Sequence, residues 1–154
     1  MKESSPDMSK IIYILNGPNL NLLGQRETKI YGNETLEDLA TTCDKLAALS
    51  GFSVKCLQSN FEGQLVDWIH DACGEAAGII INPGAYSHTS IAIHDALKTF
   101  EGLVIEVHIS NIHRRESFRH NSYISLCADG VIVGLGLYGY ELALNSMIKS
   151  KGYP

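Results

Sequence analysis

Long apolar runs, paired cysteines and an excess of positive charge are all missing from this 154-residue chain. No apolar stretch approaches the ~18 residues needed to span a bilayer, which excludes a helical membrane anchor. The four cysteines, Cys43, Cys56, Cys73 and Cys127, include no C-x-x-C pair, which argues against a zinc ribbon or a thioredoxin-type redox centre. Each sits in an apolar stretch, so reduced core thiols and a cytoplasmic compartment are expected. Twelve basic residues stand against 17 acidic ones, a net charge of −5. That balance excludes a general binder of nucleic acid or anionic membrane, and leaves room for a local basic pocket. The opening MKESSPDMSK carries no apolar segment and does not read as a signal peptide. Residues 1–9 read as a tail, and residues 10–154 as one domain.

Hydrophobic residues make up 45% of the chain and charged residues 19%, a globular composition. Short β-rich runs alternate with helical patterns. Strands are expected at 10–16 (KIIYILN), 53–58, 78–82 (GIIIN), 103–108 (LVIEVH) and 130–133. A helix is expected to start at Thr35, with Asp38 in capping-box spacing and an apolar stripe through Leu39, Cys43 and Leu46, and to end at Gly51. Further helices are expected at 64–73, 90–100 and 138–151, and a polar, glycine-rich loop through Asn33. Alternation of β and α units implies a parallel sheet covered on both faces. Five strands suit a flavodoxin-like three-layer sandwich of order 2-1-3-4-5, whose ligand would lie at the carboxyl ends of the strands.

Polar and titratable residues follow those strand ends. Asn16-Gly17-Pro18-Asn19 comes after the first, Asn82 to His88 after the third, and His108-Ile109-Ser110-Asn111 after the fourth. His113, Arg114, Arg115, Arg119 and His120 come next. Each piece alone is ordinary: a turn, a strand-end histidine, a solvated basic face. Their convergence on one edge of the sheet is the pattern a site needs.

Two other patterns mislead. Gly134-Leu135-Gly136-Leu137-Tyr138-Gly139 matches G-x-G-x-x-G, follows a strand and opens a helix. It lies in the last unit of the chain, however, with no later strand to carry an acidic partner for a ribose. Its glycines are expected to serve tight helix–strand packing. His108, His113 and His120 are spaced H-x4-H-x6-H in a basic stretch, a poor metal site whose arginines would repel a cation.

Taken together, the stretches NGPNLNLLGQRETKIYG (16–32), DWIHDA (67–72), INPGAYSHTS (81–90), IEVHISNIHRRESFRHNS (105–122) and GVIVGLGLYGY (130–140) resemble type II 3-dehydroquinate dehydratase, also called type II dehydroquinase. The resemblance implies removal of water from 3-dehydroquinate to give 3-dehydroshikimate, with no cofactor and no metal. It assigns Tyr31 as the base beside the ketone, Arg26 as the partner of the tyrosinate on a lid, and Asn19 as the holder of a water at the enolate oxygen. His108 would be the acid at the departing hydroxyl, supported by Glu106. Asn82, His88, Ile109, Ser110 and Arg119 would hold the ring hydroxyls and carboxylate, and Arg115 would help keep Tyr31 ionised. Asp95 would reach a neighbouring subunit's site in a homododecamer built from trimers. Thr28, Arg114, Ser117 and Asn121 depart from the common family residues and touch loop charge and substrate affinity, not the reaction type. The alternative on the same fold is a flavin- or nucleotide-binding module.

The implied chemistry is physically coherent. Phenol has an ordinary pKa near ~10, so bringing it to about 7 takes roughly 4 kcal/mol in favour of the anion. Two guanidinium groups supply such a field, and arginine does not lose its own charge. Histidine is matched to protonating a leaving hydroxyl near neutral pH. Gly24 and Gly32 flank the expected lid as hinges, and its closure would exclude water.

Overall fold

A computed structural model describes residues 10–25 and 28–150. Five strands, β1 (Ile11–Asn16), β2 (Ser53–Gln58), β3 (Gly78–Asn82), β4 (Leu103–His108) and β5 (Gly130–Val133), form one parallel sheet of order β2-β1-β3-β4-β5. This is the flavodoxin-like order expected from the alternation of elements. The strand bounds agree with the apolar runs, except that Lys10 stands outside β1.

Four helices cover the sheet: α2 (Leu36–Ala48), α3 (Glu62–Ala72), α4 (Ile91–Leu97) and α5 (Tyr138–Lys149). α2 starts on the expected capping box. The Thr35 hydroxyl accepts from the Asp38 N–H, and the Asp38 carboxylate accepts from the Thr35 N–H. Two orphan donors of the first turn are thereby satisfied. α2 and α5 pack with Ile12, Ile14, Ile80, Ile105 and Val107 on one face of the sheet. α3 and α4 pack with Tyr13, Leu15, Ile79, Ile81 and Val104 on the other. Alternate residues of one strand therefore serve two cores, which is why the central strands read as unbroken apolar runs.

Several segments differ from their expected bounds or environment. α5 ends at Lys149 and not at 151, because Ser150 is extended. α4 is shorter than expected, because its chain turns at Lys98 and Thr99 before Phe100. α3 begins two residues earlier, at Glu62. The polar loop before α2 contains a one-turn helix, α1 (Thr28–Tyr31), and a 3-10 turn at Leu20–Leu22. Of the four cysteines only Cys43 is a core thiol. Cys56, on the edge strand β2, and Cys127, in the turn before β5, are half-buried against the rims of the two cores, and Cys73 is exposed just past the end of α3; all four are free. Among the described residues no helix is long and apolar enough to cross a membrane.

Candidate active site

The carboxyl ends of β1, β3 and β4 open on a cavity of about 350 Å³, within the range of small-molecule sites. Of the residues expected from sequence, Asn19, Asn82, His88, His108, Ile109, Ser110, Arg115 and Arg119 all line it. Glu106 lies beneath, with its side chain fully buried. The backbone of Tyr31 ends α1, but its side chain, and Arg26 as a whole, fall outside the described residues. Asp95 is exposed on α4 and does not line the cavity of its own chain.

The strand pleat puts Glu106 and His108 on one face of β4, two residues apart. His108 Nε2 lies 2.5 Å from Glu106 Oε2. A carboxylate accepts, so Nε2–H donates and Nδ1 is left as the other functional nitrogen of the ring. The Ser122 hydroxyl donates to Glu106 Oε2 at 2.6 Å and the Ser125 hydroxyl to Oε1 at 2.5 Å. Burial alone would raise the Glu106 pKa. The hydrogen bond and charge of His108, with the two serine hydroxyls, hold it below the ordinary carboxylate value. Glu106 is thus an ionised orienter in a dry environment.

The lining also carries Arg115 and Arg119, with Glu116 between them in sequence and ion-paired to both. Arg115 Nη1 donates to the Ser110 hydroxyl at 3.2 Å, and Arg119 Nε donates to Glu116 Oε1 at 3.0 Å. His88 Nδ1 lies 2.7 Å from the Asn121 carbonyl, which makes Nδ1 the donor and frees Nε2 toward other partners. Asn19 has φ 71°, the only non-glycine residue with positive φ among those described. Its N–H donates to Asn60 Oδ1 at 2.9 Å, and the Tyr86 hydroxyl donates to the Asn60 carbonyl at 2.7 Å. A left-handed asparagine costs less than most residues in that conformation, and the Asn60 amide holds it there.

Ser122, Ser125, Asn60 and Tyr140 were not among the residues singled out from sequence. Serine and asparagine in polar loops carry no signal of their own, and their partners lie far along the chain. The glycine run behaves as packing, not as a phosphate cradle. Gly134 N–H donates to the His108 carbonyl and Gly136 N–H to the Ile109 carbonyl, both at 3.0 Å. Both residues have positive φ. The amides that would meet a pyrophosphate are committed to the end of β4. Among the described residues no group of three or more His, Cys, Asp or Glu side chains is placed to hold a metal ion.

A doubly wound sheet whose edge carries a buried carboxylate–imidazole pair and two arginines around one cavity has the groups that acid–base chemistry on a small molecule needs. Comparison with known proteins narrows this. Residues 10–148 match the family model described as dehydroquinase class II, and the chain belongs to that family. It is 64% identical over 137 residues to the 3-dehydroquinate dehydratase of Cereibacter sphaeroides, covering 89% of this chain and 93% of the relative. It is 59% identical over 146 residues to that of Bartonella bacilliformis, covering 95% and 92%. The crystal structure of type II dehydroquinase from Propionibacterium acnes superposes with a TM-score of 0.89 at 48% identity, covering 93% of this chain and 99% of that one.

Proposed function

We propose that this chain is a lyase that removes water from 3-dehydroquinate to give 3-dehydroshikimate through an enolate. Tyr31, as the phenolate, takes the proton beside the ketone, and the electron pair moves onto the ketone oxygen. A water held by Asn19 stabilises that oxyanion. The enolate then reforms the ketone as the carbon–oxygen bond to the leaving hydroxyl breaks. His108 supplies the proton that turns the hydroxyl into water. Tyr31 ends protonated and His108 neutral, and one proton transfer between them resets the site. Arg26 and Arg115 keep the phenol ionised, and closure of the segment between Gly24 and Gly32 brings Arg26 over the substrate. Asn82, His88, the backbone at Ile109–Ser110 and Arg119 hold the ring hydroxyls and carboxylate. The route uses no cofactor and no metal.

The observation that carries this reading is the Glu106–His108 pair, bonded at 2.5 Å beneath a cavity with Arg115 and Arg119 in its wall. A buried carboxylate that fixes one imidazole nitrogen leaves the other to give up a proton. The reading extends to assembly as a homododecamer of trimers, in which the exposed Asp95 completes a neighbour's site, and to the cytoplasm, where free thiols stay reduced. Purified protein mixed with 3-dehydroquinate, with chelator and no added cofactor, is expected to build up the enone absorbance of the product. No absorbance change at high enzyme concentration rejects the proposal.

A further inference from the structure

Tyr140 follows directly on the Gly134–Gly139 run, and no step of the proposed reaction uses it. It is fully buried at the start of α5. A Cβ on Gly139 would stand 3.3 Å from Ile132 Cγ2 and 3.4 Å from Val107 Cγ1. The glycine lets α5 begin tight against β4 and β5, and that closeness carries the next side chain to the carboxyl edge of the sheet.

There the phenol joins two asparagines that pair across the sheet, Asn16 at the end of β1 and Asn82 at the end of β3. Its hydroxyl donates to Asn16 Oδ1 at 2.7 Å and accepts from Asn82 Nδ2 at 2.8 Å. Backbone groups fix the direction of this relay at both ends. Asn16 Nδ2 donates to the Leu57 carbonyl at 3.2 Å. A carbonyl only accepts, so Asn16 turns its amide oxygen to the phenol. Asn82 Oδ1 accepts from the Gly84 N–H at 3.2 Å. An N–H only donates, so Asn82 turns its amino group to the phenol. Tyrosine has one hydroxyl hydrogen, committed to Asn16, and receives Asn82 on a lone pair. Turning either amide over would set donor against donor or acceptor against acceptor where no water can intervene. Burial also raises the Tyr140 pKa far above the ordinary phenol range, so the hydroxyl stays a donor. One amino hydrogen of Asn82 is taken by Tyr140. The second is the donor that Asn82, which lines the cavity, has left to offer a ligand.

We propose that Tyr140 is a positioning residue that fixes Asn82 as a hydrogen-bond donor toward the cavity, and so selects ligands that present an acceptor oxygen at that point. This rests on the cavity being the 3-dehydroquinate site, where a ring hydroxyl supplies the oxygen. Tyr140 acts through Asn82 and touches no reacting atom.

Tyr140→Phe removes the hydroxyl at nearly constant volume. KM for 3-dehydroquinate is expected to rise about tenfold with kcat within about threefold, the mark of lost ground-state binding. In an Asn82→Ala background the same substitution should leave KM where Asn82→Ala puts it. Asn16→Ala is the second variant. It keeps the tyrosine and removes the acceptor that commits the phenolic hydrogen, and the same rise in KM is expected. A purely structural Tyr140 would lower the thermal midpoint and leave KM alone. Unchanged KM in whichever of the two variants folds, or an equal loss with and without Asn82, overturns the role of Tyr140. A wild-type chain inert toward 3-dehydroquinate instead overturns the reaction, so the two failures are distinct.

Discussion

Two buried polar networks meet beneath the same cavity, and they differ in whether they can exchange a proton. Glu106, His108, Ser122 and Ser125 form a network around a carboxylate, with an imidazole as its working end. Asn16, Tyr140 and Asn82 form a network of amides and one phenol, whose pKa burial drives out of reach. On the proposed mechanism the first changes charge during the reaction. The second is built never to change, and its rigidity lies in the one-way order of its donors. Buried polar groups cost free energy unless satisfied, so both arrangements are expensive to leave incomplete. The difference teaches that one network should govern turnover and the other affinity.

That contrast breaks most visibly at Glu106. Glu106→Gln keeps the shape and removes the charge, so His108 loses the carboxylate that accepts from its Nε2–H and fixes the ring. We expect kcat to fall on the order of 10²-fold with KM little changed. An altered KM at constant kcat would erase the distinction between the two networks. The same residue gives a stability signature. The folded-state pKa of Glu106 lies below the ordinary value of 4.5. Its ionised form therefore stabilises the fold fully above that pH, and the contribution is lost as pH falls through the folded-state value. The gap in melting temperature between wild type and Glu106→Gln should be widest at neutral pH and close progressively below about pH 4.5. A gap that widens on acidification contradicts the assignment.

A smaller effect sharpens the comparison. Ser122→Ala and Ser125→Ala each leave a buried carboxylate oxygen short of a donor. Each is expected to cost about 1–3 kcal/mol of stability, measured by denaturant unfolding. Their effect on KM should be small beside that of Tyr140→Phe.

The sheet was legible in the sequence because each strand announces itself. The GIIIN run of β3 is buried on both faces, and LVIEVH places its two polar residues on one side of the pleat. The start of α2 was legible because Thr35 and Asp38 are only three residues apart. The cavity lining was legible through the rule that ligands sit at strand ends, together with resemblance of the motifs. The supports beneath it were not. Ser122 and Ser125 lie 16 and 19 residues from Glu106, and Tyr140 lies 124 from Asn16. Such contacts exist only once the crossover helices have packed, and a serine or tyrosine carries no mark of the partner it will find. The short turn at α1 was missed for a related reason, since four residues are too few to show a helical period.

The proposed division of labour sets proton abstraction at Tyr31 and protonation of the leaving group at His108. Deuterium uptake from solvent into recovered 3-dehydroquinate separates the two steps. His108→Ala is expected to exchange the proton beside the ketone while forming almost no enone, and Tyr31→Phe to do neither while still binding substrate analogues. Wild-type exchange in Tyr31→Phe, or near-wild-type enone formation in His108→Ala, would contradict it.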